Sequence, residues 1–498
     1  MRVALRRRPV FTRWPVLFAL VAVAGIALRV WIYRSALGIP NSDEAICGLM
    51  VLHALRGDIS TFYWGSSYGG PQEVILSVPF FWILGSGYLA LRIVPIALNA
   101  VASLVLWRAG RRIVGDRPAA VAGALLWVWP PFNLFQLTQQ QSFFATNVLY
   151  CALIVLLALR VVERPDRVRV GIFGFVLGFA FWQTPQIVPV VVPAVVWVIW
   201  KAPRALRHAW LAALLGLVGA LPWFVWNVRH AWASLSVHTD LSLYGRSLRL
   251  FVSPILPMTL GLRTPFDQKL IVPSTALVYV VYAGLYVVFA YYAIRTRRRA
   301  VSLLYLVTAL FPFVYALDRR TTFITGWPQY TLVLTPVLAL LVTQFAKRYL
   351  LAVAVLALAC AMELVSIPRM NAYYHVPQPV PRAPRNLSPL VATHDRLHLN
   401  RVYADYWIAY LVDFVTKEHV TAVENQFTEV SFRNGEAVLP HDPEARYQPY
   451  ERTVAASRRH GFVFFKRAVP PIGPALARHG YARTVVGVFV VYAPPPGV

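Results

Sequence analysis

The chain has 498 residues, 58% of them hydrophobic and 14% charged, with 16 Trp and a formal net charge of +27. So large an apolar share excludes a wholly water-soluble globule and indicates a polytopic helical membrane protein. The positive charge does not indicate nucleic acid, because 22 of the 34 basic residues before position 370 lie in six short clusters between apolar runs rather than on one basic face.

Those clusters are Arg2 to Arg13, Arg108 to Arg117, Arg160 to Arg169, Lys201 to Arg207, Arg295 to Arg299 and Lys347-Arg348. The positive-inside rule makes each cytoplasmic. Apolar runs of spanning length fall at 16–34, 89–107, 118–132, 142–160, 169–184, 186–200, 209–226, 274–294, 300–317, 329–346 and 349–367, which predicts about eleven transmembrane helices. The first run has the basic start of a signal peptide, but it continues to Trp31, longer than a usual signal core, and is read as an uncleaved span. Residues 74–85 are apolar but too few to cross a core of ~30 Å. Counting them as a span would also place every later basic cluster outside, so they are read as a re-entrant or juxtamembrane helix. The N-terminus is then cytoplasmic, and residues 371–498 lie outside the plasma membrane.

The outward side receives the loop 35–88, the caps around Asn133 to Gln141 and Gln183 to Gln186, the loop 227–273, and the turn Asp318 to Gln329. Within the loop 227–273, residues 248–262 carry two prolines that argue against a continuous span and for an interfacial helix. Three segments follow from composition: a transmembrane region 1–370, a Pro-rich linker 371–388, and a small α/β domain 389–498. In the last, R-V-Y-A-D, H-V-T-A-V, G-F-V-F-F-K and V-V-G-V-F-V-V-Y read as strands. Y-W-I-A-Y-L-V-D-F-V and a short segment within R-A-V-P-P-I-G-P-A-L-A-R-H-G read as helices. Cys47, Cys151 and Cys360 are single packing thiols.

Chemistry is concentrated in the first outward loop. It holds four of the eleven acidic residues before position 370, and Asp43 and Glu44 open it. A carboxylate at the mouth of a span is costly if buried unpaired, so it serves a proton, a metal or a cationic partner. The competing reading is that Asp43 only caps a helix starting at Glu44, since N-S-D-E before an apolar run is a capping signature. No P-loop, no G-x-G-x-x-G, no C-x-x-C and no H-E-x-x-H is present, and His53, His230, His238 and His375 have no ligand-like spacing.

The pattern of an uncleaved first span, a loop opening on D-E-A, an amphipathic helix at Ile46 to Leu55, F-Y-W-G-S-S-Y-G-G-P at 62–71, a short apolar helix and Arg92 resembles the GT-C class of membrane glycosyltransferases. Within it the chain is similar to the group of protein O-mannosyltransferases and the lipid A aminoarabinose transferase. G-W-P-Q-Y-T-L-V-L-T-P-V-L-A-L-L likewise resembles that group's R-Y-x-L-x-x-x-P helix, with Tyr330 at the tyrosine. Two departures stand out: Gln329 replaces the usual basic residue, and G-G-P-Q-E-V replaces the usual Asp/His-x-P-P-L segment.

The resemblance implies an inverting transfer of sugar from a polyprenyl-phosphate donor to an extracytoplasmic acceptor, a glycan, lipid or protein, with membrane lipids as surroundings and no nucleic acid. Such a reaction needs a base for the acceptor hydroxyl and cations for the leaving phosphate. Asp43 is the candidate base, with Glu44 or Glu73 to orient it; Asp43 and Glu44 are also candidate ligands for a divalent metal. Arg92, Arg229, Arg246, Arg263, Lys269, Arg319 and Arg320 are the candidate phosphate cations, against the simpler reading of interfacial snorkelling. Tyr63, Trp64 and Tyr68 suit stacking on a sugar or belong to an interfacial aromatic belt. Gln139 and Gln140 suit sugar hydroxyls or are a wet loop. A secondary transporter or flippase, or a catalytically silent scaffold with a binding domain, are the alternatives; Glu363 and Arg29 are the ionisable residues inside spans.

Overall fold

The computed structural model describes residues 13–235, 240–271, 300–322, 325–376, 381–427, 429–433, 435–443 and 445–495, with single positions between 274 and 295. Most of the expected span 274–294 and of the clusters Arg2 to Arg13 and Arg295 to Arg299 lies outside the described residues. The chain divides into two compact units. The first comprises Met1–Arg34, Pro95–Thr138 and Phe144–Tyr373; the second comprises Ser35–Val94, Gln139–Phe143 and Tyr374–Val498.

The first unit is helical. Among the described residues, four helices are long and apolar enough to cross a bilayer: Arg13–Arg34, Tyr88–Ile113, which begins in the second unit, Phe144–Glu163 and Tyr349–Tyr373. Five of the other apolar runs appear as the shorter helices Asp116–Val128, Arg167–Gln183, Val188–Lys201, Ser302–Tyr315 and Thr335–Thr343. The run 209–226 is split into Ala209–Gly219 and Leu221–Arg229, the second with a proline in its first turn. Segment 248–262 is broken as its prolines demand: Ser253 leaves helical geometry (φ −152°, ψ 114°) before Pro254, and a short helix Leu256–Thr259 follows.

Polar groups inside this unit are rationed. Arg29 on the first helix is buried, donates to the carbonyls of Gly25 and Trp127 at 3.0 Å each, and lies over the Trp127 ring. The same helix presents Val16, Leu20, Val23 and Ile26 outward, as lipid contact requires. Helices Arg167–Gln183 and Ala209–Gly219 approach backbone to backbone through glycines. A Cβ on Gly178 would lie 1.9 Å from the Gly216 carbonyl oxygen, and one on Gly174 would lie 2.2 Å from that of Ala212. Small residues at such a crossing replace the hydrophobic driving force that lipid cannot supply.

The second unit holds a five-stranded mixed sheet of β1 (Arg401–Ala404), β2 (Thr421–Glu424), β5 (Gly461–Phe465), β6 (Ala482–Val486) and β7 (Phe489–Ala493). The strand order is β2-β1-β5-β7-β6. A separate hairpin is formed by β3 (Ser431–Arg433) and β4 (Glu436–Val438). β1 runs parallel to β2 and β5, while β5–β7 and β6–β7 are antiparallel. V-V-G-V-F-V-V-Y, expected as one strand, is a hairpin instead. Gly487 at φ 59° turns the chain between β6 and β7, a conformation open to glycine at little cost.

Helix Tyr406–Val415 crosses from β1 to β2 and is capped by Asp405, whose carboxylate accepts from Trp407 N at 2.8 Å. It packs on helix Ser42–Leu55, where Gly48 faces the Phe414 ring so closely that a Cβ would meet it at 2.4 Å. The expected amphipathic helix is therefore buried through most of its length: Glu44 to Leu52 are all buried, because the segment expected as a separate domain covers its outer face. Helix Gln72–Leu84 has 13 residues and exposes Trp82, Ile83 and Leu84, a length and an apolar face that suit a membrane surface.

Gly178→Ala should lower the thermal stability of the purified protein by about 1–3 kcal/mol through overpacking, whereas Gly87→Ala, where a Cβ meets nothing within 4 Å, should be near neutral. Thermal unfolding of both variants in one detergent checks this.

Candidate active site

The capping question is settled by Asn41. Its side-chain oxygen accepts from Glu44 N at 2.9 Å, and the helix begins at Ser42. Asp43 sits in the first turn, already inside the helix, and its carboxylate makes no capping hydrogen bond. A carboxylate at this end is favoured by the helix dipole while its oxygens remain available for other work.

Those oxygens have defined partners. The Tyr406 hydroxyl donates to Asp43 Oδ1. The Tyr63 hydroxyl donates to the Asp43 carbonyl at 3.1 Å and reaches Oδ1 at 3.4 Å. Ser42 Oγ in turn donates to the Tyr406 carbonyl at 2.6 Å, tying the first turn of one helix to the first residue of the other. Asp43 Oδ2 has no hydrogen-bond partner among the described residues, and Asp43 is only half-buried. One oxygen is thus held and the other is open.

Arg446 completes the constellation. Its guanidinium lies 5.8 Å from the Tyr63 ring and 5.5 Å from the Tyr406 ring, and it interacts electrostatically with Asp43. Its one side-chain hydrogen bond is a long one to Ser66 Oγ, 3.5 Å, and no carboxylate ion-pairs with it among the described residues. Its backbone N is fixed by Glu424 Oε1 at 2.6 Å. Gly65 makes room for it: at φ 69° that residue would, with a Cβ, stand 2.5 Å from Arg446 Cδ and 2.7 Å from its Cα.

Glu44 and Arg92 behave differently from the expectation. Arg92 Nε and Nη2 donate to the two Glu44 oxygens at 2.7 and 2.6 Å, and Nη1 donates to the Gly38 carbonyl at 3.0 Å. Both side chains are buried, with 3% and 1% exposure. Glu44 Oε1 also accepts from Gln140 N at 3.1 Å. In this structure the Arg92 guanidinium is committed to protein acceptors rather than presented to a phosphate, because a buried carboxylate one helix away compels the pairing. For the same reason Glu44 has no open oxygen for a metal. Among the described residues no group of three His, Cys, Asp or Glu side chains is placed to hold one.

The remaining candidates are distributed as follows. Glu73 is buried in the first turn of helix Gln72–Leu84. Trp64, a candidate sugar platform, has one face stacked on Tyr447 at 3.8 Å, and its indole N–H donates to Ser60 Oγ at 2.9 Å, so it serves packing. Tyr68 is half-buried beside Phe143. Gln139 and Gln140 are buried, and Gln139 Nε2 donates to the Leu37 carbonyl at 2.5 Å. Arg229, Arg246, Arg263, Lys269, Arg319, Arg320 and Tyr330 belong to the other unit. There Arg229 ends helix Leu221–Arg229 and Arg246 lies in helix Tyr244–Leu250, while Arg263 Nη1 donates to the Gln268 carbonyl at 3.0 Å. Lys269 is 3.9 Å from Asp267. Arg319 lies in the short turn Arg319–Thr322 with Arg320, whose side chains, like that of Arg319, are outside the description; Tyr330 lies in the turn Gln329–Leu334.

Sequence reasoning missed Tyr406, Arg446 and a latch farther along the same helix. His53 Nδ1 meets Asp58 at 3.0 Å and Nε2 meets Glu418 at 2.7 Å, while Glu418 also accepts from Arg56 and Tyr450 at 2.6 Å each. Burial opposes the His53 charge, but hydrogen bonds to Glu418 and Asp58 prevail and raise its pKa. Burial likewise opposes ionisation of Glu418, yet His53, Tyr450 and Arg56 draw its pKa down to about 2.

With this geometry in view, the chain can be set beside known proteins. Residues 76–226 match the model of the dolichyl-phosphate-mannose-protein mannosyltransferase family. The structure is similar to that of ArnT from Cupriavidus metallidurans in the apo state, with 15% identity, 96% of this chain and 97% of that chain covered, and a TM-score of 0.62. It is also similar to ArnT from the same organism bound to undecaprenyl phosphate, with 15% identity, 97% and 98% coverage and a TM-score of 0.59. The fold is that of the GT-C membrane glycosyltransferases. The family model names an enzyme class, mannosyltransferase, for the residues it covers, and the structural likeness shows the fold. The sequence matches no curated protein. The GT-C likeness runs the length of the chain, whereas the family match begins after Asp43 and Glu44, so the site's chemistry rests on its own geometry.

Two expectations follow. Arg92→Met or Glu44→Met alone should destabilise the protein by about 3–5 kcal/mol by stranding a buried charge, and the double variant should recover most of the loss; thermal unfolding of the three variants checks the pairing. For the latch, a histidine with a raised folded pKa contributes fully below its unfolded pKa and loses that contribution as pH rises through the folded one. Thermal stability of the wild type should therefore decline as the pH rises above the ordinary histidine value of about 6.5 and through the raised folded one, and His53→Gln should flatten that decline.

Proposed function

We propose that the chain is an inverting glycosyltransferase that moves a sugar from a polyprenyl-phosphate donor to a hydroxyl-bearing acceptor outside the plasma membrane. The observation that carries this reading is Asp43, with Oδ1 held by Tyr406 and Tyr63, Oδ2 open, and Arg446 close by. A carboxylate fixed by one oxygen keeps a set direction for the other, which is what general-base catalysis needs.

In the proposed step, Asp43 Oδ2 takes the proton of the acceptor hydroxyl as its oxygen attacks the anomeric carbon. The bond from that carbon to the phosphate oxygen breaks, and polyprenyl phosphate leaves with the electron pair. A single displacement inverts the anomeric centre. Arg446 supplies positive charge for the anionic group brought to the site, since its guanidinium is ion-paired to no carboxylate among the described residues and a planar fork suits phosphate oxygens. Arg92 is a positioning residue: it holds Glu44, and through Glu44 the first turn that carries Asp43. The reading adopts about eleven spans from the apolar runs, and a cytoplasmic N-terminus and an extracytoplasmic C-terminal segment from the distribution of basic clusters.

The likeness to a protein described as bound to undecaprenyl phosphate supports a polyprenyl-phosphate donor. The test is turnover of radiolabelled polyprenyl-phosphate sugars by the purified protein. Asp43→Asn should lower turnover by about 100-fold or more while donor binding and unfolding temperature stay near wild type. Near-normal turnover in that variant would remove Asp43 from the chemistry.

A further inference from the structure

Away from Asp43, the second unit contains a cavity of about 590 Å³ lined by Tyr374, His375, Val376, Pro381, Arg382, Phe465, Lys466, Arg467, Gly487 and Val488. Four stretches of described residues line it: 374–376, which directly follow helix Tyr349–Tyr373 in the chain, 381–382, the residues that leave β5, and the β6–β7 turn. Lys466 N donates to the Val488 carbonyl at 2.8 Å, which joins the last two as a continuous wall.

The lining is one-sided in charge. It holds two arginines, a lysine and a histidine, and no acidic residue. Among the described residues Arg382, Lys466 and Arg467 make no ion pair. Arg382 is the most enclosed of the three: its guanidinium lies 3.6 Å from the centre of the Tyr374 ring and makes a 3.4 Å contact to the Ala36 carbonyl. Burial lowers its pKa, a cost that a bound anion would offset. Lys466 and Arg467 are exposed, so they reach into solvent from the rim. The apolar share of the wall, Val376, Pro381, Phe465 and Val488, gives the cavity the mixed lining of a small-molecule site, and its volume is in the usual range.

We propose that this cavity binds the phosphate headgroup of an anionic lipid. Two guanidiniums and an ammonium around one space are suited to phosphate oxygens, the guanidiniums in bidentate fashion. The neighbouring apolar side chains suit the glycerol and first methylenes of a lipid better than a free ion. The cavity's first wall begins one residue beyond a helix long and apolar enough to span a bilayer, which brings a chain-linked part of it to headgroup depth. The site would hold this unit against the bilayer surface, and it needs neither Asp43 nor the transfer reaction.

The test uses the full-length protein in a neutral detergent, with binding of short-chain phosphatidylglycerol, short-chain phosphatidylcholine and inorganic phosphate measured separately. The variant is Lys466→Glu/Arg467→Glu, two exposed positions whose change leaves the core intact. The wild type should bind phosphatidylglycerol at least about tenfold more tightly than phosphatidylcholine, and the variant should lose that preference with an unchanged unfolding temperature. Equal affinity for the two lipids, or an unchanged preference in the variant, would overturn the proposal. Full displacement of phosphatidylglycerol by inorganic phosphate at similar concentration would assign the cavity to a free anion and overturn the lipid headgroup. Arg382→Gln, which removes the charge and keeps a polar side chain, should weaken phosphatidylglycerol binding in parallel, and unaltered binding there would count against the enclosed guanidinium.

Discussion

The buried pair between Glu44 and Arg92 is the constraint from which the candidate site follows. A carboxylate and a guanidinium with almost no exposure are tolerable only as a fully hydrogen-bonded set, and the set is complete: both Glu44 oxygens, three Arg92 nitrogens, the Gly38 carbonyl and Gln140 N. It fixes the start of helix Ser42–Leu55 against the start of helix Tyr88–Ile113. With Glu44 facing inward, Asp43, one residue earlier and about 100° around the helix, meets Tyr63 and Tyr406 instead. Adjacent acids thus acquire opposite settings, one fully paired and one with an open oxygen.

The second dependence is on the C-terminal segment. Tyr406 and Arg446 reach Asp43 from beyond position 400, and the approach of Arg446 needs Gly65 to lack a side chain. Helix Tyr406–Val415 packs on helix Ser42–Leu55, with Ser42 and the Gly48–Phe414 contact at two points along it. The latch of His53, Glu418, Arg56 and Tyr450 fastens the far end. A segment read from composition as a separable domain is thereby part of the structure that presents the carboxylate.

How much of this was legible in the sequence varies with the range of the interaction. Apolar runs and basic clusters are properties of contiguous residues, so most of the described helices fall close to where composition places them. The strands of the C-terminal sheet were legible for the same reason, except at Gly487, where alternation alone does not distinguish a turn from a strand. Asp43 stood out because acids are scarce before position 370. What N-S-D-E could not reveal is that Asn41 caps and Asp43 does not, since either side chain satisfies the pattern. The roles of Arg92, Trp64, Tyr406 and Arg446 depend on partners far away in the chain. Arg92 finds Glu44 across 48 positions and Tyr406 finds Asp43 across 363, and neither composition nor periodicity encodes such pairs.

The central claim is that Asp43 works as a carboxylate oriented by the Tyr406 hydroxyl. The most direct measurement is the transfer rate of Tyr406→Phe under saturating donor, beside its unfolding temperature and its affinity for polyprenyl phosphate. Removing one hydrogen bond to a charged group while keeping the ring should cost about tenfold or more in rate, with donor affinity and stability little changed. A variant as fast as the wild type would show that the carboxylate needs no such orientation and would contradict the account.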